Sequence, residues 1–214
     1  MIKVVGLGPG KSKYFTEDAI ESIKSASVIY GYARHTDMIR DIETSAIKQS
    51  YNKLNELSEM ILDELNVNPN SKIILLASGD PSLYGIAKYI IDKFEKQNLA
   101  QVEIIPGVSS VSYLFSRVKQ SMNDLYITST HAKELSFDTI MNLNKVAFVT
   151  DKEKGPAYIA NRYLDASIDP YIIVGENLAY EDELITIKRA SQLSKDKEYK
   201  LCVVIVIKEE AYER

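Results

Sequence analysis

The sequence has almost none of the residues that build disulfide frameworks or metal clusters. It contains one cysteine, Cys202, and two histidines, His35 and His131. A single cysteine cannot close an internal disulfide, and no Cys/His cluster has the spacing of a metal site. We therefore expect no metal to be bound by the protein itself. Cys202 lies in an apolar run that is typical of a buried strand.

Long apolar runs and an excess of positive charge are also missing. No apolar stretch approaches the roughly 20 residues that cross a bilayer. The N-terminus enters a strand-like run directly, without the pattern of a signal peptide. The formal net charge of −4 argues against a general nucleic-acid surface. These features predict a cytoplasmic protein with no nucleic-acid or membrane partner.

What the sequence does contain is an alternation of short apolar runs with helical patterns. Runs such as 73–76 and 203–207 are apolar at consecutive positions, which is typical of strands covered on both faces. The predicted strands are 2–7, 27–30, 72–77, 102–105, 124–129, 145–149, 171–174, 184–188 and 201–207. The predicted helices are 16–26, 52–65, 83–96, 108–118, 155–164 and 189–194. We predict an α/β fold with mixed, mostly parallel sheets.

A junction near the middle of the chain divides it into two predicted domains. Pro106 and Gly107 end a strand, and Ser109 and Ser110 are suited to cap the helix that follows. We expect an N-terminal α/β domain at 1–110 and a C-terminal α/β domain at 111–214. Clefts between domains are common ligand sites, so we expect a cofactor cleft between these two.

The loop after the strand at 72–77 is a candidate ligand site. It reads Ser78-Gly79-Asp80-Pro81, and in open α/β sheets ligands bind at the carboxyl ends of strands. Asp80 could bind a ligand, or it could cap the helix predicted to begin near Leu83. The sequence leaves both interpretations open.

The glycine-rich segment after the first strand allows three interpretations. It reads Gly-Leu-Gly-Pro-Gly-Lys-Ser over 6–12. A P-loop requires a glycine at the position of Val5, and a dinucleotide fingerprint requires one at Lys11. The third interpretation is a tight turn in which glycine allows unusual dihedrals. Because two other glycine loops also follow strands, the three could line one pocket.

These three segments together resemble the tetrapyrrole methylase family. The matching residues are Val5-Gly6-Leu7-Gly8-Pro9-Gly10, Gly79-Asp80-Pro81 and Pro106-Gly107-Val108-Ser109-Ser110, in the family's order and at its spacing. The resemblance covers nearly the whole chain. It implies S-adenosylmethionine (SAM) as the methyl donor, bound in a cleft between two α/β domains, and a homodimer, which many members form.

Four further segments are most similar to family members that methylate carbon 5 of a cobalt-bearing corrin precursor in cobalamin biosynthesis. They are Gly31-Tyr32-Ala33-Arg34-His35, Ser109–Tyr113 with Arg117, Asp124–His131 and Gly175–Glu183. Ala132 departs from the family pattern, which has glycine there. Some relatives carry a fused, decarboxylating C(15)-methyltransferase domain. Since this chain ends at Arg214, we expect that activity to belong to a separate subunit.

The resemblance also assigns residues to the methyl donor. They are Gly8, Pro9, Gly79, Asp80, Leu83, Tyr84, Gly85, Ser109, Ser110 and Thr150. Backbone groups exposed at glycine turns can hydrogen-bond adenine and the amino-acid tail. The carboxylate of Asp80 could favour the positive charge of the donor. The two serines could act as helix caps at the same time.

The acceptor implied by the resemblance is a macrocycle rimmed with carboxylates. The residues assigned to it are Arg34, His35, Arg117, His131 and Glu176. Positive groups at strand ends, including Lys11, can oppose the negative net charge locally, although ordinary surface charge is the alternative for Arg34 and Arg117. His131 and Tyr84 are the candidate catalytic residues, with structural and packing roles as the alternatives. Glu176 could orient the substrate or hold the loop at 175–183.

Two rival functions remain open at this point. One is another tetrapyrrole methylase, acting on a different ring position or substrate. The other is a nucleotide-binding regulatory protein that uses the Gly-Pro-Gly-Lys-Ser segment for phosphate. The second rival predicts stabilisation by ATP with Mg²⁺ and none by S-adenosylhomocysteine, whereas the cobalt-corrin C-5 methyltransferase interpretation predicts the reverse.

Overall fold

A computed structural model describes residues 1–130, 136–151, 153–194 and 197–212 of the chain. It divides into two units, Met1–Ser109 and Ser110–Arg214, each with one five-stranded sheet. The first sheet is wholly parallel and the second is mixed. The predicted α/β fold with mixed, mostly parallel sheets is therefore confirmed. No helix within the described residues is long and apolar enough to cross a membrane.

The first unit alternates strands and helices. In chain order its elements are β1 (Ile2–Gly6), α1 (Glu17–Lys24), β2 (Val28–Gly31), α2 (Ala33–Met38), β3 (Ile47–Ser50), α3 (Leu54–Val67), β4 (Ile73–Ala77), α4 (Ala87–Ile90) and β5 (Val102–Ile105). A π-helical turn, Ile91–Glu95, extends α4. The strand order is β3-β2-β4-β1-β5. Because all five strands are parallel, the loops after β1, β2, β4 and β5 leave the same edge of the sheet.

The consecutive apolar residues of these strands are buried on two faces. Val4, Tyr30 and Leu75 pack on one side with Leu57 and Ile61 of α3. The neighbouring positions Val5, Ile29 and Leu76 pack on the other side with Ala19 and Ile23 of α1. Alternate side chains of a strand point to opposite faces, so every residue of β4 is buried.

The second unit begins with α5 (Ser110–Val118). It continues with β6 (Leu125–Ser129), α6 (Phe137–Ile140), β7 (Lys145–Val149), α7 (Pro156–Asp165), β8 (Tyr171–Glu176), β9 (Leu184–Arg189) and β10 (Cys202–Ile207). The strand order is β6-β7-β10-β8-β9; β6 and β7 are parallel, and the other pairs are antiparallel. Val204, Phe148 and Val174 on one face pack against Ile159 and Tyr163 of α7. All six residues of β10 are buried.

Several predicted elements differ from the structure. The helix predicted at 83–96 begins only at Ala87, because Tyr84 has a φ of 51°, which no right-handed helix accommodates. The segment predicted as a helix at 189–194 is a short 3₁₀ turn, Ala190–Gln192. The prediction missed β3, whose four residues are all exposed and so lack an apolar pattern. It also missed the short helices α2 and α6.

Candidate active site

The loops after β1 and β4 are joined to each other by backbone hydrogen bonds. Leu7 N donates to Ala77 O at 2.9 Å, continuing the strand pairing beyond β1. Gly8 and Gly79 then exchange two bonds, from Gly8 N to Gly79 O at 3.2 Å and from Gly79 N to Gly8 O at 2.8 Å. Both residues have positive φ, 71° for Gly8 and 61° for Gly79. Glycine tolerates this conformation, so the two strand ends can turn together.

Glycines also allow the strand end of β5 to approach these loops. A Cβ atom on Gly107 would lie 2.3 Å from Gly79 O and 2.8 Å from the carbonyl carbon of Gly6. A Cβ atom on Gly6 would lie 2.7 Å from both Gly107 N and Gly79 O. The three segments singled out in the sequence therefore meet, and these glycines are required by contact between backbones.

Asp80 connects two of the three loops through its side chain. Its Oδ1 accepts a hydrogen bond from Ser82 N at 2.8 Å, and its Oδ2 accepts one from Gly107 N at 3.4 Å. The half-buried carboxylate forms no ion pair with any residue that the structure describes. The first helix after it begins at Ala87 and has Ile86 as its N-cap. Capping of that helix is therefore not the role of Asp80.

The remaining cofactor candidates of the first unit surround this loop. Tyr84 is 51% exposed and lies in the left-handed region, a costly conformation for a residue with a side chain. Gly85 follows at a position where a Cβ atom would lie 2.4 Å from Pro81 O. Leu83 and Pro9 are half-buried. The loop thus holds the Tyr84 ring at the surface, on the edge of the sheet where β4 ends.

Arg34 and His35, at the start of α2, reach the same edge through Ser78. The Oγ of Ser78 lies 2.7 Å from His35 Nε2, and Arg34 donates to both His35 Nε2 and Ser78 Oγ at 3.3 Å. Burial, and then the positive charge of Arg34, lower the pKa of His35 to about 4 despite an opposing backbone contribution from Leu76. His35 is consequently neutral near pH 7.

Ser109 and Ser110 lie at the boundary of the two units. Ser109 is the last residue of the first unit, and Ser110 begins α5. Both are half-buried.

In the second unit, Thr150 and Glu176 are buried and already hydrogen-bonded. The Thr150 hydroxyl donates its hydrogen to Cys202 O at 2.8 Å, so it is not available to donate to a ligand. Glu176, at the end of β8, pairs with Lys197 and accepts from Lys200 N at 3.2 Å. Its observed contacts therefore hold the segment that leads into β10.

Arg117 is paired with Glu183, a residue to which the sequence analysis gave no role of its own. Arg117 Nε lies 3.0 Å from Glu183 Oε1, while Tyr113 and the backbone N of Ala179 donate to Oε2 at 2.7 and 2.6 Å. Burial opposes ionisation of Glu183, but these hydrogen bonds and the Arg117 charge lower its pKa overall. Glu183 therefore fixes α5 against the loop before β9. In that loop Asn177 and Ala179 have φ values of 46° and 65°.

His131 lies outside the described residues, as do the other residues of 131–135. Lys11 is exposed in the loop after β1. Among the described residues there is no group of three or more His, Cys, Asp or Glu side chains that could hold a metal ion. The structure thus brings together the glycine loops, Asp80, Arg34 and His35 in the first unit, and separately connects Arg117 with Glu183 in the second.

Sequence reasoning missed two residues that organise these groups. Ser78 was only the beginning of the Gly-Asp-Pro loop, although the residue just after a buried strand is well placed to meet neighbouring strand ends. Glu183 was one acid among three in the segment 181–183. Only the fold distinguishes it, because its partners on α5 are 66 and 70 residues away in the chain.

The architecture and the strand-end loops define a two-unit α/β protein with a ligand-type edge on its parallel sheet. A family model described as "Tetrapyrrole (Corrin/Porphyrin) Methylases" matches residues 1–194. The chain belongs to this family of methylases.

Relatives of similar length support the assignment. The chain is 33% identical to the cobalt-precorrin-7 C(5)-methyltransferase of Salmonella typhimurium over 210 residues, which is 98% of this chain and 100% of that protein. It is also 33% identical to a probable cobalt-precorrin-7 C(5)-methyltransferase of Methanocaldococcus jannaschii over 199 residues, covering 91% of this chain and 92% of that one.

Solved structures share the fold at lower identity. The methyltransferase CobJ superposes with a TM-score of 0.81 at 15% identity, covering 100% of this chain and 96% of CobJ. Uroporphyrin-III C-methyltransferase from Thermus thermophilus, in complex with S-adenosylhomocysteine, gives 0.75 at 18% identity, with 97% of each chain covered. These likenesses extend over essentially the whole chain.

Proposed function

We propose that the protein is a SAM-dependent methyltransferase that adds a methyl group to C-5 of cobalt-precorrin-7 in cobalamin biosynthesis. The observation that carries this proposal is the end-to-end match, at 33% identity, with the Salmonella typhimurium enzyme of that name. The family model supports the methylase activity, and the archaeal relative supports the same ring position.

The strand-end loops of the first unit have features that suit a cationic, adenine-bearing methyl donor. Asp80 offers a half-buried carboxylate with no cation beside it among the described residues, which favours a positively charged ligand. The turn at Gly8 and Gly79 has no side chain to obstruct backbone contacts. When bound, SAM supplies an electrophilic methyl group on a positively charged sulfur.

The residues assigned to the donor would bind it in different ways. Gly8, Pro9, Gly79 and Gly85 would contribute backbone and close approach, Asp80 its charge, and Leu83 apolar surface. Ser109, Ser110 and Thr150 would contribute backbone groups, and the Thr150 hydroxyl, whose hydrogen is bonded to Cys202 O, could only accept from the ligand. The task of these residues is orientation, since an in-line methyl transfer depends mainly on the position of the reacting atoms.

The acceptor site would recognise the carboxylates of a corrin rim. Arg34 presents an exposed guanidinium at the end of β4, and Arg117 is 53% exposed beside Glu183. Tyr84, held at the surface by its strained backbone, would contact the macrocycle or the reacting atoms. We further propose that His131 contacts the substrate or takes up a proton, and that Glu176 orients the loop after β8.

A different ring position is the main alternative within the family. Relatives that act elsewhere include a probable cobalt-factor III C(17)-methyltransferase of Methanothermobacter thermautotrophicus, 28% identical over 131 residues, and a cobalt-precorrin-4 C(11)-methyltransferase of Methanocaldococcus jannaschii, 37% identical over 112 residues. These matches span 60% and 50% of this chain, whereas the C(5) enzymes match over more than 90%. The extent of the match favours C-5.

Incubation of the purified protein with cobalt-precorrin-7 and SAM tests the proposal. We expect the corrinoid to gain the mass of one methyl group, with the new carbon located at C-5 by NMR after ¹³C-methyl labelling. Absence of the mass gain with this substrate, or a label at another carbon, contradicts the proposed activity.

Thermal unfolding separates the methylase from a nucleotide-binding regulator. A ligand that binds only the native state raises the unfolding temperature. S-adenosylhomocysteine should therefore stabilise the protein, and ATP with Mg²⁺ should not. The reverse result would favour phosphate binding at the Gly-Pro-Gly-Lys-Ser segment.

We propose in addition that C(15) methylation is carried out by a separate subunit. The Salmonella typhimurium relative, matched over its whole length, carries only the C(5) activity in its name. By contrast, a Sinorhizobium precorrin-6Y C(5,15)-methyltransferase is matched over 31% of its length. A cytoplasmic homodimer completes the proposal, and light scattering after size-exclusion chromatography measures its mass.

A further inference from the structure

Arg34 carries an exposed positive charge that neutral groups hold in place. Its Nε donates to His35 Nε2 and its Nη2 to Ser78 Oγ, both at 3.3 Å, and its guanidinium carbon lies 5.9 Å from the centre of the Tyr32 ring. Arg34 has no carboxylate partner among the described residues. Arg117, by contrast, is paired with the carboxylate of Glu183. Arg34 is thus oriented but not neutralised.

Hydrogen bonds connect Arg34, His35 and Ser78 to one another. Arg34 Nε donates to His35 Nε2, and Arg34 Nη2 donates to Ser78 Oγ. Ser78 Oγ also lies 2.7 Å from His35 Nε2, and the direction of that bond is set by the tautomer of the ring. Each group sets the orientation of the next.

Aromatic side chains pack against His35 and support this arrangement. His35 is 3% exposed, and its ring meets the edge of Tyr32 with centroids 5.6 Å apart. Tyr32 packs in turn on the buried Tyr51, 4.6 Å away. Three adjacent strands hold the residues around Arg34: Tyr32 follows β2, Tyr51 follows β3 and Ser78 follows β4. Rigid support of this kind lowers the entropy lost when a ligand binds.

We propose that His35 and Ser78 are positioning residues that hold Arg34 as a receptor for a carboxylate of the ligand. This inference rests on the proposed function, which supplies two carboxylate sources: the rim of the macrocycle and the amino-acid tail of the methyl donor. The guanidinium group retains further N–H donors beyond its bonds to His35 and Ser78, and its planar fork matches a carboxylate.

Titration calorimetry with three probes tests the receptor. Cobyrinic acid carries free rim carboxylates, cobinamide carries amides in their place, and S-adenosylhomocysteine carries only the amino-acid carboxylate. Loss of a charge-assisted hydrogen bond is expected to weaken binding about tenfold or more. R34Q and R34K should both weaken the binding of a carboxylate probe. Cobinamide should bind R34Q and the wild type with equal affinity. R40Q, which removes an exposed arginine later in the same segment, is the matched control.

The two carboxylate probes distinguish the sources. If R34Q binds only cobyrinic acid more weakly, Arg34 binds a carboxylate of the macrocycle rim. If it binds only S-adenosylhomocysteine more weakly, Arg34 binds the carboxylate of the methyl donor. Unchanged binding of both probes by R34Q overturns the proposal. Because the probes require no turnover, this result is independent of whether cobalt-precorrin-7 is the substrate.

Variants of His35 test the positioning role. H35F keeps the ring volume but removes the acceptor, and S78A removes the hydroxyl; both should weaken the same probe several-fold. H35Q, whose amide oxygen can replace Nε2 as an acceptor, should bind closer to the wild type. If His35 acts through Arg34, H35F should add little to R34Q in the double variant. Full additivity, or equal losses in H35F and H35Q, overturns the role.

Discussion

The contact between the backbones of Gly107, Gly79 and Gly6 predicts a graded response to alanine. A Cβ atom at position 107 would lie 2.3 Å from Gly79 O and 2.9 Å from Gly6 O. Both neighbours are backbone atoms at the ends of β1 and β4, so no side chain can rotate away. Relief requires the strand ends to separate by about an ångström, and overpacking of this kind costs roughly 3 kcal/mol.

Two other glycines provide matched controls for the same substitution. At Gly175 the nearest atoms are methyl groups of Leu178 and Leu114, at 2.7 and 2.9 Å, and these side chains can adjust. At Gly155 the nearest atom is Asp151 O at 3.5 Å, an ordinary contact. The free energy of unfolding should therefore fall most in Gly107→Ala, less in Gly175→Ala and least in Gly155→Ala.

Thermal and urea unfolding measure this series. For a unit of about 100 residues, 1 kcal/mol corresponds to roughly 4 °C or more, so Gly107→Ala should lower the melting temperature of the first unit by about 12 °C or more. Gly155→Ala, a substitution in the second unit, should change the melting temperature of that unit by a degree or two. The reasoning is refuted if Gly107→Ala is as mild as Gly155→Ala. A protein that keeps its stability but loses S-adenosylhomocysteine binding would instead indicate that position 107 matters only for the ligand.

Three further predictions concern charged groups. Asp80→Asn should keep the fold and lower the affinity for S-adenosylhomocysteine about tenfold, as measured by calorimetry. An unchanged affinity would remove Asp80 from the site. The pKa of His35 falls from 6.5 to about 4 on folding, so the protein should lose stability as pH falls through that range. The full effect is about 3 kcal/mol, and His35→Gln should show a flatter urea-unfolding profile between those pH values. Glu183→Gln should destabilise the second unit by about 2 kcal/mol in urea unfolding, because the Arg117 charge loses its carboxylate partner. The exposed Glu181→Gln is its control, and equal effects of the two would argue against a role for the Glu183 network.

Strands that are buried on both faces could be predicted from the sequence. β4 and β10 are apolar at every position because both faces are covered, and their bounds agree with the prediction to within one residue. β3 could not be found in this way. It is an edge strand with four exposed residues, and only its pairing with β2 makes it a strand.

The start of α4 could not be predicted because a strained loop replaces the first helical turn. Leu83 and Tyr84 have ordinary helical propensity. Gly85 disfavours a helix interior, but the sequence gives no sign that the positive φ falls on Tyr84. The conformation follows from contacts made elsewhere in the loop, where Pro81 O accepts from Ala87 N and lies too close to position 85 for any Cβ atom. The helix propensities of individual residues contain no information on tertiary contacts of this kind.

The glycine motifs led to the candidate site, and the structure gives them a role that differs in part from their expected chemistry. Glycine was expected to let a ligand approach the backbone, yet Gly6 and Gly107 let the backbones approach each other. Such a motif therefore indicates that the ends of several strands lie close together. That proximity alone does not show whether the ligand is a phosphate, a dinucleotide or a methyl donor. The distinction comes from the charges placed around the convergence. On one sheet edge Asp80 presents a carboxylate, and Arg34 presents a guanidinium that has no carboxylate partner among the described residues. The guanidinium suits any anionic group, whereas the carboxylate of Asp80 suits a cationic donor better than the phosphates of a nucleotide.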